Sequence, residues 1–295
     1  LHWLASQPTL CFAGFGVLIF PHSLSAYGST VSLDLTNLLP NLLTLGSLAL
    51  WGWILLRWRK GEPALPYRER SDVSLDLVTV LGVLLVWVMV PLFVGQFLQS
   101  TVKPSLDNVR ISCVSGSLQL LGLMATLFAA GGYRPHELGI GLKKWAADLR
   151  DGGFGYLAAF LPVFLLLLAT KHLRSEDTMH PLLQFVRKHP QTSTVLWIIV
   201  AVVVIAPALE ELLFRVVLQG ALTKRIGPLR SILLVSVAFA LVHSRLDSLP
   251  LIPLALVLGY VYHRRHSYLA VVVLHAIFNA TNLIFALLTP DNAPA

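Results

Sequence analysis

Stretches of about 20 apolar residues recur along this chain, and each is long enough to cross the ~30 Å hydrocarbon core of a bilayer as a helix. Only 13% of the 295 residues are charged, while 56% are hydrophobic. A soluble domain carries about 25% charged residues, so this chain has too little polar surface to face water. The expected fold is all-α: a polytopic transmembrane helical bundle of about 8–9 spans. These lie near 8–26, 37–56, 76–98, 112–131, 153–170, 193–222, 229–245, 249–263 and 267–288. Pro21, His22 and Ser23 interrupt the first. The eighth is short enough to require tilt or a thinned bilayer. The sixth is long, and its cytosolic end is expected to project beyond the hydrocarbon.

The net charge of +7 does not point to nucleic acid, because most Lys and Arg sit in short loops beside apolar spans. Arg57, Arg59, Lys60, Arg68, Arg70, Arg134, Lys143, Lys144, Arg150, Lys224, Arg225, Arg230, Arg264 and Arg265 flank the loops after even-numbered spans. The alternate loops hold about half as many. The positive-inside rule then puts the N-terminus inside and the C-terminus outside. The expected location is a multi-pass protein of the plasma membrane of a prokaryote. Cys11 and Cys113 form no C-x-x-C pair, hence neither a disulfide framework nor a thiolate zinc site. Residues 132–152, with Trp145 and Leu149 beside Lys143 and Lys144, suit either an interfacial helix or a wetted connector. Residues 171–192 are polar, and the spacing of His172, His180 and His189 matches no metal-ligand pattern, so a solvated loop is expected there.

Ionisable side chains inside a span cost ~2.5 kcal/mol or more at the bilayer centre, so each needs a specific reason. The sixth span holds three of them, Glu210, Glu211 and Arg215. Glu211 and Arg215 are four apart on one helix face and can pair, which offsets much of the cost of burying them. Glu210 points about 100° away and has no helical partner. The seventh span places Phe239 and His243 four apart, and the ninth does the same with His275 and Asn279. A lone His in a span is usually a packing residue or an end anchor, and Asn is often interhelical glue. Joint depth argues for more. At 1.5 Å per residue, Glu210 lies roughly 18 Å in, His243 roughly 21 Å and His275 roughly 12 Å.

Such a layer suits water activation. A desolvated carboxylate serves as general base with a His partner, and a second His with an Asn amide can donate to the oxyanion of a tetrahedral intermediate. A metal version has Glu210, His243 and His275 as zinc ligands with an open position for water. The H-E-x-x-H signature is absent.

These motifs resemble the CAAX protease and bacteriocin-processing (CPBP) family of intramembrane proteases, which includes the type II CAAX prenyl proteases. Its E-E-x-x-x-R motif is met by Glu210, Glu211 and Arg215, its F-x-x-x-H by Phe239 and His243, and its H-x-x-x-N by His275 and Asn279. All three occur in family order. The resemblance covers roughly residues 195–288 and extends weakly back to about 132. It divides the chain into an N-terminal accessory transmembrane region, 1–131, and a protease domain, 132–295, with the catalytic core in the last four spans. One departure is Val216, where many members have Gly.

The resemblance implies that Glu210 and His243 activate water. It also implies that His275 and Asn279 form the oxyanion site, and that Glu211, Arg215 and Phe239 give structural support. It favours a glutamate-dependent intramembrane endopeptidase with no cofactor over a zinc enzyme. The implied partners are a membrane-associated protein or peptide substrate and the lipid bilayer, with no nucleic acid. The rival functions are a non-proteolytic scaffold or immunity protein and a proton-coupled transporter.

Overall fold

The computed structural model describes residues 35–69, 73–98, 105–170, 181–243 and 245–288, and the span expected at 8–26 lies outside them. The described residues are helical, with no strand among them. This follows from the apolar runs, because in hydrocarbon a backbone must satisfy its own N–H and C=O groups within each segment. In chain order the helices are α1 (Leu35–Arg59), α2 (Leu77–Phe97), α3 (Leu106–Ala130) and α4 (Trp145–Ala169). They continue with α5 (Pro181–Lys188), α6 (Thr192–Ile226), α7 (Pro228–Leu241), α8 (Arg245–Arg265) and α9 (Tyr268–Leu288). Six of them, α1–α4, α6 and α9, are long and apolar enough to cross a membrane, and the chain is a multi-pass membrane protein.

Each expected span from 37–56 onward corresponds to one helix, with corrections at the ends. The segment expected at 249–263 is not short: α8 has 21 residues and contains Pro250 and Pro253. Its polar ends, not its length, make it less apolar than the six. The segment expected at 229–245 ends early, because α7 stops at Leu241. Within the polar stretch 171–192, residues Pro181–Lys188 form a helix in place of the expected loop, and Val186 on it is fully buried. Trp145 and Leu149 do not form a separate interfacial helix; they belong to the first turns of α4.

Helix α4 is the hub, packed against α1, α8 and α9. Lipid tails are as apolar as leucine, so helices in a bilayer gain from close backbone approach and interhelical hydrogen bonds. Gly152 supplies the approach: a Cβ there would lie 2.8 Å from the Ala270 carbonyl oxygen of α9. The bonds come from α1, where Ser47 Oγ donates to Leu157 O at 2.6 Å and Trp51 Nε1 donates to Ala158 O at 3.1 Å.

Three of the basic loops meet at one end of the bundle. Asp148 and Asp151, both buried in the first two turns of α4, are the anchors. Arg68 pairs with Asp148 at 2.8 Å, and Arg265 at the end of α8 pairs with Asp151. Hydrogen bonds to backbone carbonyls then lay residues 65–68 along α8. Arg68 N donates to Arg264 O, Arg264 Nε to Leu65 O, and Arg265 Nη1 to Pro66 O. On the other side Gly139, at φ +72°, accepts from Tyr268 N at 2.9 Å, and a Cβ there would meet His266 O at 2.5 Å. Only glycine meets both conditions without strain. The turn that launches α9 toward the site is thereby held from two directions.

Asp76 caps α2, its carboxylate accepting from Thr79 N at 2.8 Å, Thr79 Oγ1 at 2.7 Å and Tyr133 Oη at 2.8 Å. These donors, led by Thr79 N–H, hold its pKa down at about 2. A depressed carboxylate stabilises the fold above its unfolded pKa near 4 and loses that contribution as pH falls through the folded value. Asp76→Ala should therefore lower the melting temperature at pH 7, and the gap to wild type should close between pH 4 and pH 2 in a detergent melting series. Gly152→Val should reduce the yield of folded protein sharply, since the intruding side chain meets backbone; wild-type melting of that variant would refute the close packing of α4 on α9.

Candidate functional site

Glu210, Glu211 and Arg215 lie on α6, and all three side chains are buried, the last two at 0% exposure. Arg215 Nε donates to Glu211 Oε2 at 3.0 Å, the i,i+4 pair that helical spacing favours. The other carboxylate oxygen, Glu211 Oε1, lies 2.8 Å from His275 Nδ1 of α9. Glu211 therefore bridges a guanidinium on its own helix and an imidazole on another. Arg215 Cζ sits 5.2 Å from the centre of the Phe239 ring, a cation–π arrangement that offsets part of its desolvation.

Phe239 is fully buried and forms the floor between the two histidines, its ring centroid 4.7 Å from that of His243 and 5.8 Å from that of His275. His243 departs from the expected helix-face position. Helix α7 ends at Leu241, and His243 follows it, with its Nδ1 2.7 Å from Phe239 O. The last carbonyls of a helix lack intrahelical donors, and His243 supplies one. Because a carbonyl only accepts, Nδ1 carries the proton and Nε2 presents its lone pair.

Both imidazoles turn Nε2 toward Glu210. Its Oε2 is 4.0 Å from His243 Nε2 and 3.9 Å from His275 Nε2. That oxygen is buried and has no hydrogen-bond partner among the described residues. Separations near 4 Å are too long for direct hydrogen bonds, and they fit groups that share one small bridging molecule. For a tetrahedral zinc with ligand bonds near 2.0–2.1 Å, the donor atoms would stand about 3.4 Å apart. The two Glu210–imidazole separations are wider than that, and no metal-holding group of three or more His, Cys, Asp or Glu occurs among the described residues.

Asn279 lies on the same face of α9 as His275, fully buried, but its amide is directed elsewhere: Nδ2 donates to Val202 O of α6 at 2.8 Å. Two neighbours on that face are not among the residues singled out from the sequence. Tyr268 Oη donates to Ala208 O at 2.6 Å, two residues before Glu210. Asn282 is wholly buried, and neither polar atom of its side chain has a partner among the described residues. Positions 268, 275, 279 and 282 follow 7-, 4- and 3-residue steps, so one polar stripe on α9 was there to be found.

The polar stripe, the α6 carboxylates and the histidine after α7 fall almost wholly inside one matched segment: residues 192–281 fit the family model described as type II CAAX prenyl endopeptidase Rce1-like. This segment is Rce1-like. The Rce1-like region begins at the start of α6 and ends within α9, so α1–α5 lie outside it. No curated protein and no solved structure matches the chain.

Truncating Glu211 or Arg215 to Ala strands a buried opposite charge, which costs on the order of 3–5 kcal/mol. Both single variants should accumulate poorly and melt early, and Glu211→Ala should be the worse because it also frees His275. Equal, wild-type-like melting of both would remove the bridging role of Glu211.

Proposed function

We propose that this chain is an intramembrane endopeptidase that hydrolyses a peptide bond of a membrane-associated protein or peptide with water activated by Glu210 and His243. The observation that carries this reading is the placement of Glu210 Oε2, buried and about 4 Å from both imidazole Nε2 atoms. The Rce1-like match over residues 192–281 supports the same class of reaction.

A water at hydrogen-bond distance from Glu210 Oε2 and His243 Nε2 has two acceptors for its two protons. As its oxygen attacks the carbonyl carbon, one proton passes to Glu210, and the C–O bond forms while the carbonyl π electrons move to oxygen. His275 faces this oxyanion with Nε2–H when it is protonated at both nitrogens, a charge that Glu211 on Nδ1 offsets. Collapse of the intermediate breaks the C–N bond, and the proton held by Glu210 goes to the leaving amine. No serine or cysteine nucleophile is needed. Asn279 supports the same helix through Val202.

The substrate is assigned to the membrane because every one of these groups is buried among helices of which α6 and α9 are themselves apolar enough to span it. Metal independence belongs to the same proposal. General-base removal costs typically 10²–10⁴ in rate, so Glu210→Gln, nearly isosteric, should lose at least about 100-fold in turnover while melting like wild type. The check is a comparison of protein termini in cells carrying wild type or Glu210→Gln, followed by cleavage of an identified substrate in proteoliposomes. Unchanged cleavage by Glu210→Gln would remove Glu210 as the general base, and absence of cleavage by wild type would sink the hydrolase. Stoichiometric zinc whose chelation abolishes turnover would replace the metal-independent mechanism with the zinc one.

A further inference from the structure

Helix α6 changes its hydrogen-bond register just before the glutamate pair. Residues Val200–Ile205 form a π-helix, and the last bond of that ladder runs from Ala206 N–H to Ala201 O. The next rung would need an N–H at residue 207 to reach Val202 O. Residue 207 is proline, which has no N–H. The ladder therefore ends on a carbonyl left over by its own sequence, in a residue only 1% exposed. A buried carbonyl without a donor is costly in an apolar surround. Asn279 Nδ2, from α9, lies 2.8 Å from that oxygen and donates to it. The amide has only this orientation available, since its oxygen would face another acceptor.

We infer that Asn279 is a positioning residue: it splints the α6 register break by satisfying the carbonyl that Pro207 leaves without a donor, and thereby sets the direction in which Glu210 points. A π-helical insertion adds one residue to the turn, which rotates everything beyond it by about 100° relative to an unbroken α-helix. Glu210 is three residues past Pro207, so its aim at the two imidazoles depends on the break staying where it is. The splint is interhelical, so it also locks the rotation of α6 against α9, the helix that carries His275.

The kinetic part of this inference rests on the endopeptidase reading; the structural part does not. Four proteins test it: wild type, Asn279→Leu, Pro207→Ala and the double variant. Alanine at 207 supplies the missing N–H, so it substitutes for the amide. In a Glu210→Gln background, Asn279→Leu should lower the melting temperature by several degrees when residue 207 is proline, and by less than half as much when it is alanine. With Glu210 intact, Asn279→Leu should reduce kcat at least about tenfold with KM changed less than about twofold, and the loss should shrink to about threefold in the Pro207→Ala background. If Pro207→Ala does not accumulate, Pro207→Ser supplies the same N–H, and failure of both variants counts against the splint. An Asn279→Leu defect of equal size in both backgrounds, in melting and in kcat, overturns it and returns the amide to the reacting atoms. Absence of cleavage by wild type would remove the endopeptidase reading while leaving the melting comparison valid.

Discussion

The carboxylate of Glu211 is the contact on which the rest of the site depends. It holds a fully buried guanidinium with one oxygen and an imidazole with the other. Taking Arg215 out of water is tolerable only with that partner and with the face of Phe239 against it. Once Glu211 is committed, Glu210 is the acidic group left over. Its Oε2 has no hydrogen-bond partner among the described residues, and it turns to the space between His243 and His275. The pair of adjacent glutamates thus divides into one that satisfies the helix and one that remains available for chemistry.

The scaffold serves the same geometry from the other end of the bundle. Asp148 and Asp151 gather Arg68, Arg150 and Arg265 where α4 begins, where α8 ends and where the loop after α1 crosses them. Gly152 then lets α9 lie close against α4. His275 sits a further turn along α9 from that contact, so its position is inherited from an ionic cluster and a glycine, neither of which touches Glu210. Residues of the N-terminal region take part directly: Arg68 belongs to the same loop as Leu65 and Pro66, which are bonded to α8. The region before α4 is bound to the Rce1-like segment through polar bonds as well as apolar surface.

Within single helices, spacing alone was a sound guide. The Glu211–Arg215 pair is formed as the i,i+4 rule requires, and the apolar runs from residue 37 onward each fall on one helix, although α3 and α4 begin six and eight residues before the expected limits. Errors arose where the next helix decides. His243 was expected on a helix face, but α7 stops two residues earlier and the ring caps its last turn, a choice governed by where the chain must bend toward α8. Residues 171–192 read as polar, yet within them 181–188 form a helix on which Val186 is fully buried. Trp145 and Leu149 resemble an interfacial anchor until Asp148 and Asp151 among them are seen to pair with Arg68 and Arg265.

What the chain's sequence settled by itself was local: which segments are long and apolar enough to be membrane helices, and which side chains share a face at steps of three, four or seven. Backbone periodicity is intrinsic to a helix, so such statements need no neighbour. Partners across helices were decided only by the tertiary structure. Glu211 meets His275, Glu210 faces two imidazoles and Asn279 reaches Val202 because rotation and depth are set by packing, which no single-helix pattern encodes. The carbonyl freed by Pro207 shows both halves at once. Its missing donor is written in one residue, while the amide that replaces it lies 72 positions further on, brought there by the fold.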